Sequence, residues 1–241
     1  TLHNKVEGAI SYTNLLFVPS SRPFDLFHPE RKGSLKLYVN RVFITDDCEA
    51  LIPGYMRFLK GVVDSEDIDL NVSREMLQHN PAVAKIRKAL MKRVLNELKK
   101  KAEKAPEEYA TFWETIGMVL KEGVHEDIEN QDRLMELVRF KSSSVEGWTS
   151  LKDYVSRMKA SQDAIYYISG ADAEAAARSP QLEGFRAKGI EVLFMTDPVD
   201  EFWMPAVGMY DEKQFKSATR GDVDLSKIDG DSDDKDGDDK D

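Results

Sequence analysis

One arginine stands in a polar stretch where it could meet a phosphoryl group. Arg74 lies in the segment IDLNVSREMLQ, residues 68–78, just before a long basic run that begins at Asn80 and Pro81. The planar guanidinium carries five N–H donors that match phosphoryl oxygens, so its best functional use is to stabilise charge on a phosphate bound elsewhere. A single arginine in a loop is more often a solvated surface charge. The residues alone leave both interpretations open.

The sequence offers no independent active site beside this arginine. The four histidines have no partner at metal-ligand spacing, which predicts no metal site. We find no glycine-rich phosphate loop, dinucleotide fingerprint or nucleophile elbow. The single cysteine, Cys48, excludes an internal disulfide and fits a reducing, cytoplasmic compartment. We therefore expect no cofactor and no enzymatic activity from this chain alone.

Charge is unevenly distributed along the 241 residues. The net charge is −10, and the last thirteen residues, 229–241, contain eight Asp and two Lys, or −6, which leaves −4 for the rest. Because residues 229–241 contain no apolar side chain, they are predicted to form a disordered acidic tail. No apolar run approaches the roughly 20 residues that cross a bilayer, so no membrane span is expected.

Periodicity predicts an α/β protein whose first part, residues 1–104, is a larger αβα layered subdomain. Apolar-rich segments at 11–18 and 35–44 favour strands, and residues 49–60 are predicted to form a short helix. A long helix is predicted from Pro81, capped by Asn80. Strands followed by a long covering helix are typical of a layered α/β architecture.

The opposite face of that long helix, residues 81–104, is strongly basic and supports an alternative function. A stripe of lysines and arginines could contact the phosphates of a nucleic acid, which would make the chain a nucleic-acid-binding α/β module. The overall acidity and the absence of interleaved stacking aromatics argue against this alternative. A solvated helix face is the commoner explanation.

Two further segments complete the predicted organisation. Residues 105–149 are predicted to be a helical connector, whose aromatic stripe between 109 and 120 belongs in a core and whose first helix ends at Gly123. Residues 150–228 are predicted to form a smaller αβα subdomain that opens with a capping box at Ser150 and Asp153. Its buried strands AIYYIS and IEVLFM, separated by helical segments, predict a parallel βαβ unit.

Several long motifs resemble one known family. The segments SSRPFDLF, LKLYVNRVFITDD, LIPGYMRFLKGVVDSEDIDLNVSREMLQ and ATFWETIGMVLKEGVHED are similar to the middle domain of the ninety-kilodalton heat-shock chaperone family. SLKDYVSRMK, IYYISG and KGIEVLFMTDPVDE extend the similarity and point to its bacterial branch. The resemblance covers nearly all of residues 3–228.

The resemblance implies partners and cofactors that this chain does not itself encode. An N-terminal ATP-binding domain would precede residue 1, and a C-terminal dimerisation domain would follow about residue 228. ATP with Mg²⁺ would then bind in the full-length homodimer and not in this part. The implied partners are client proteins and these two domains, with no nucleic acid and no membrane.

The same resemblance implies roles for individual residues. The family arginine that reaches the nucleotide in the neighbouring domain falls on Arg74, and its companion glutamine falls on Gln78. The family's apolar contact to the ATP-binding domain falls on Phe43. Relatives commonly carry proline where this chain has Asp69, which implies a less stiff loop here.

A client-binding patch is implied in DEFWMP, residues 200–205, expected to be a loop after the last strand of the βαβ unit. An aromatic residue that relatives use for client contact falls on Phe202, and Trp203 and the flexible Met204 extend the patch. The alternative is that Phe202 and Trp203 cap the core of the smaller subdomain.

Overall fold

The computed structural model of the chain describes residues 1–28, 34–71, 73–220 and 225–228. It divides into two compact units, Thr1–Leu137 and Val138–Asp241. Each unit contains a five-stranded sheet and several helices, which confirms the predicted α/β class.

The first unit is built on a mixed sheet. Its strands are β1 (Leu2–Val6), β2 (Tyr12–Phe17), β3 (Ser34–Val39), β4 (Val42–Thr45) and β5 (Lys60–Ser65). They lie in the order β1-β2-β5-β3-β4, with β3 and β5 parallel and the other pairs antiparallel. The predicted strands at 11–18 and 35–44 are confirmed, the second as the two strands of a hairpin.

Among its described residues the same unit has four helices: α1 (Arg74–Gln78), α2 (Pro81–Lys104), α3 (Pro106–Glu126) and α4 (Gln131–Leu137). The long helix begins where it was predicted, because Asn80 Oδ1 accepts hydrogen bonds from Ala82 N at 2.8 Å and Val83 N at 3.2 Å, and Pro81 occupies the first turn. Asn80 thus satisfies two N–H groups that have no partner inside the helix.

Helix α3 carries the predicted aromatic stripe in the core, and Tyr109, Phe112 and Trp113 are buried. The prediction that Gly123 ends this helix is wrong, since α3 continues to Glu126. Gly123 is needed for packing: a Cβ built there would lie 2.7 Å from Cδ2 of the Tyr55 ring. The glycine marks a close approach between elements and not a helix end.

The prediction of a short helix over residues 49–60 is also wrong. This segment forms two 3-10 turns, Glu49–Leu51 and Gly54–Met56, and then enters β5 at Lys60. Extended backbone at Ile52 and Pro53 separates the turns. Five apolar side chains in the segment are almost fully buried, so tertiary packing fixes it without helical periodicity: Leu51, Tyr55, Met56, Phe58 and Leu59.

The second compact unit contains the predicted parallel βαβ motif together with further strands and helices. Its elements are β6 (Lys141–Ser142), α5 (Leu151–Ser156), β7 (Ala164–Ser169), α6 (Ala173–Ala177), α7 (Glu183–Ala187), β8 (Leu193–Met195), α8 (Asp200–Val207), β9 (Met209–Tyr210) and β10 (Lys213–Ser217). The sheet order is β6-β8-β7-β10-β9. Strands β7 and β8 are parallel, which confirms the βαβ prediction, and β10 pairs parallel with β7 on its other side.

The observed division of the chain differs from the predicted boundaries at 104 and 149. Contacts place one boundary between Leu137 and Val138, because α3 and α4 pack on α2 within the first unit. Residues 138–149 join the second unit, where Phe140 bridges to Thr149. The predicted disordered tail, 229–241, lies outside the described residues.

No helix in the described part of the chain is long and apolar enough to cross a membrane.

Candidate functional site

The segment that carries Arg74 is an arm, residues 66–78, that joins β5 to the long helix. Arg74 is the first residue of α1, and its side chain lies outside what the structure describes. Ser73 caps the helix: its Oγ accepts from Met76 N at 3.4 Å, and its carbonyl accepts from Leu77 N at 3.2 Å. The capping serine explains why a helix begins at this arginine.

The arm is anchored near its two ends, and two large apolar side chains among its described residues are exposed. Ile68 and Leu77 are 3% and 2% exposed, whereas Leu70 and Met76 are 51% and 56% exposed. At the first end, Asp67 Oδ2 accepts from Ser11 N at 2.5 Å, which ties the arm to the start of β2. Large apolar side chains held in water on a short, anchored segment are typical of a contact surface.

Phe43 lies on the edge of the first sheet. The β3–β4 hairpin turns at Asn40 and Arg41, whose φ angles are 49° and 65°, and β4 is the outermost strand. Val42 and Phe43 are 50% and 53% exposed, and the Phe43 ring stands edge-on to Tyr38 at 5.6 Å between centroids. The hairpin therefore holds two apolar side chains in solvent at fixed positions, and the interdomain contact at Phe43 stays a prediction.

Gln78, at the end of α1, is exposed and lines a cavity of about 150 Å³. The other lining residues are Asp47, Cys48, Glu49, Ala50 and Leu77. Sequence reasoning missed Asp47, because nothing in a run of acidic residues distinguishes a carboxylate with one buried oxygen from fully solvated ones.

The implied client patch is a helix and not a loop, so that prediction is wrong. Residues 200–207 form α8, with Pro205 inside it. Phe202 is 63% exposed, while Trp203 is 0% and Met204 6% exposed. The Trp203 Nε1 donates to Asp200 Oδ1 at 2.7 Å.

The rings of Phe140 and Phe215 flank Trp203 at 6.1 and 5.6 Å. Trp203 therefore belongs to the core of the second unit, as the alternative interpretation expected, and Met204 is buried as well. Of the three predicted client-binding residues, the structure leaves Phe202 accessible.

The basic face of α2 is partly neutralised by neighbouring glutamates. Glu97 pairs with Lys100 at 3.0 Å and Arg93 at 3.6 Å, and the hydrogen bond from Lys100 lowers the pKa of the Glu97 carboxyl. Three further pairs join the face to the surrounding helices and turn: Lys88 with Glu129, Lys99 with Glu136, and Lys101 with Glu108. This solvated, paired surface gives the nucleic-acid alternative no support.

Neither the four histidines nor Cys48 carries a chemical role in the sites described above, although Cys48 lines the cavity beside Gln78. All four histidines are exposed, and Cys48 is 3% exposed in the core. Within residues 1–28, 34–71, 73–220 and 225–228, no cluster of three or more His, Cys, Asp or Glu could hold a metal ion.

Comparison with known proteins identifies the family. The model of the Hsp90 protein family matches residues 1–241. The chain is 60% identical over 228 residues to chaperone protein HtpG of Paramagnetospirillum magneticum, covering 95% of this chain and 37% of the relative. It is 59% identical over 227 residues to HtpG of Roseobacter denitrificans, covering 94% and 37% respectively.

The fold is similar to that of a solved middle domain. The middle domain of a Plasmodium falciparum heat shock protein superposes with a TM-score of 0.77 at 34% identity, covering 91% of this chain and 86% of that one. The chain spans about 37% of the length of the curated relatives it matches. The chain thus belongs to the Hsp90 protein family and has the fold of its middle domain.

Proposed function

We propose that this chain is the middle domain of an ATP-dependent molecular chaperone, a cytoplasmic homodimer that assists protein folding under stress. In this proposal the arm completes the ATPase site of an N-terminal ATP-binding domain, and the second unit contributes to client binding. ATP and Mg²⁺ bind in that other domain.

The observation that carries the proposal is the construction of the arm. Buried Ile68 and Leu77 fix its ends, and exposed Leu70 and Met76 flank the helix start at Arg74. Exposed apolar groups on both sides of an arginine suit a segment that is covered when another domain docks. Once covered, the arginine would act in a water-poor site, where charge stabilisation is strongest.

The β3–β4 hairpin supports a second contact with the same partner domain. Val42 and Phe43 are about half exposed on the edge strand, and the turn at Asn40 and Arg41 is held by hydrogen bonds from Asn40 N to Ser65 O and from Arg41 N to Asp64 Oδ1, both 3.1 Å. A rigid apolar edge can orient a docking domain. We therefore assign Phe43 to interdomain docking and Arg74 to the chemistry that docking permits.

Arg74 would act on the transition state of ATP hydrolysis. Charge develops on the transferring phosphoryl oxygens, and the guanidinium fork can donate to two of them. Because the arginine arrives only when the domains close, hydrolysis becomes conditional on closure. Gln78 lies one helical turn further along α1. Its neutral amide would help to orient the groups of the site by hydrogen bonding, without supplying charge.

Arg74→Ala in the full-length protein tests this assignment. We expect kcat for ATP hydrolysis to fall by about 10²-fold or more, with little change in ATP affinity, because the interaction belongs to the transition state. Arg74→Lys should also fail, since a point charge does not reproduce the fork. Gln78→Ala should be milder. An unchanged kcat for Arg74→Ala would refute the catalytic role.

Client binding is assigned to the exposed side of α8. Phe202 is 63% exposed beside the buried Trp203, so a large apolar group is held in water by a well-packed neighbour. Such a side chain can contact apolar segments of an unfolded or partly folded protein.

Phe202→Ser should weaken binding of an unfolded client to the full-length protein, measured by fluorescence anisotropy, while the melting temperature stays nearly unchanged. Arg178→Ser, an exposed substitution elsewhere in the second unit, is the matched control. Equal client affinity for the Phe202→Ser variant and the parent protein would contradict the assignment of client binding to α8.

A further inference from the structure

Beside the arm, the carboxylate of Asp47 has one oxygen whose hydrogen bonding the described fold does not account for. Among the residues that the structure describes, none donates a hydrogen bond to the buried Oδ1 of Asp47. Leaving a buried charged acceptor without a donor destabilises a fold, and most buried polar atoms in native proteins are paired. Asp47 Oδ1 can therefore accept a hydrogen bond from a donor that enters the adjoining cavity.

The backbone holds Asp47 in place. Asp47 N donates to Thr45 Oγ1 at 3.3 Å, and the same hydroxyl lies 3.3 Å from Asp47 O. The next residue is fixed as well, because Cys48 N donates to Leu35 O of β3 at 3.0 Å. The carboxylate is thus part of a rigid turn that directly follows β4, the strand that carries Phe43.

The cavity beside this carboxylate is shared with the arm. Asp47, Leu77 and Gln78 line the same space of about 150 Å³, which is large enough for a side-chain amide. The Gln78 amide carries two N–H donors. Helix α1 has only five residues, and it packs on α2 and on the turn Glu49–Leu51. A shift of α1 that moves the Gln78 side chain into this cavity would bring its amide toward the carboxylate.

We propose that Asp47 is a positioning residue for the arm: its Oδ1 accepts a hydrogen bond from the Gln78 amide when the arm docks, and this bond fixes the helix that begins at Arg74. The inference rests on the proposed ATPase role of the arm. A hydrogen bond to a carboxylate is stronger than one between neutral groups, so it can select one position of a short helix. The same rigid turn then links the docking strand β4 to the catalytic arm.

A double-mutant cycle in the full-length protein tests the proposal. Asp47→Ala should lower kcat for ATP hydrolysis about tenfold, as expected for loss of a charge-assisted hydrogen bond, and leave KM for ATP unchanged. In a Gln78→Ala background the same substitution should cost almost nothing, because the bond is already lost. Additive effects, or an unchanged kcat for Asp47→Ala, would overturn the proposal.

Two controls separate positioning from a structural role. Glu103→Ala alters an exposed acid of α2 that does not line this cavity and should leave kcat unchanged. Asp47→Asn should leave the melting temperature of the present chain equal or higher, because it replaces a carboxylate whose buried Oδ1 accepts no hydrogen bond from the described residues, whereas a structural role predicts a clear drop. Such a drop, or a kcat loss in Glu103→Ala equal to that in Asp47→Ala, contradicts the proposal.

The Arg74→Ala variant keeps the two claims distinguishable. If Arg74→Ala abolishes turnover while Asp47 and Gln78 are uncoupled, the inference about Asp47 fails and the proposed function stands. If Arg74→Ala hydrolyses ATP normally, the proposed function fails.

Discussion

Helices α1 and α8 present the same local pattern in two different units. In each, an exposed apolar residue precedes a buried one: Met76 is 56% exposed beside Leu77 at 2%, and Phe202 is 63% exposed beside Trp203 at 0%. Both helices therefore display an apolar side chain whose neighbour anchors the backbone. The pattern alone assigns them similar contact roles.

The anchors differ in strength. Trp203 is held by its hydrogen bond to Asp200 and by the rings of Phe140 and Phe215, within a helix of eight residues. Helix α1 has five residues and a capping hydrogen bond of 3.4 Å at Ser73. A short helix with few anchors opens at low free energy. The comparison indicates that α8 is a fixed surface and α1 a movable arm.

Trp203→Ala should have the largest effect on stability. Emptying an aromatic core site costs about 3–5 kcal/mol, so the second unit should unfold at much lower urea concentration. Phe202→Ala is the matched control and should change the free energy of unfolding by less than about 0.5 kcal/mol, as is usual for surface substitutions. Urea denaturation followed by circular dichroism measures both. If Trp203→Ala and Phe202→Ala lowered the free energy of unfolding by comparable amounts, Phe202 would be packed in the core and would not be a surface residue of α8.

Asp200→Ala should have the next largest effect on the free energy of unfolding. Its carboxylate accepts from Trp203 Nε1 at 2.7 Å and from Asp197 N at 3.1 Å, so the substitution leaves two donors near the core without their acceptor. The expected loss is about 1–3 kcal/mol. Asp172→Ala, which removes an exposed cap of α6, is a control within the same unit. A stable Asp200→Ala variant would weaken the claim that α8 is fixed.

Ser73→Ala should have a small and local effect. Loss of the cap destabilises α1 by about 0.5–1 kcal/mol, at the low end for such substitutions because the bond is long. The melting temperature of the chain should barely move, while hydrogen exchange at Met76 and Leu77 becomes several-fold faster. Global destabilisation by Ser73→Ala would show that α1 is part of the core and not an arm.

Sequence reasoning succeeded where local chemistry decides the structure. Asn80 and Pro81 fixed the start of α2, and the β-branched and aromatic run AIYYIS predicted β7. Caps and uniformly buried strands are encoded by neighbouring residues.

It failed where distant contacts decide. Gly123 is a glycine because the Tyr55 ring lies against it, and residues 200–205, expected to be a loop, belong to helix α8. Strand β10 escaped prediction because its polar residues form a strand only beside β7. The burial of Trp203 and of Asp47 Oδ1 likewise depends on partners remote in sequence.

The central claim is that the arm supplies Arg74 to an ATPase site on another domain. The most direct measurement is ATP turnover by the N-terminal ATP-binding domain of the same protein, mixed with increasing amounts of this chain. We predict that this chain alone shows no turnover, that the mixture exceeds the ATP-binding domain alone, and that the Arg74→Ala chain gives no such increase while folding normally by circular dichroism. Equal stimulation by the Arg74→Ala chain would contradict the account.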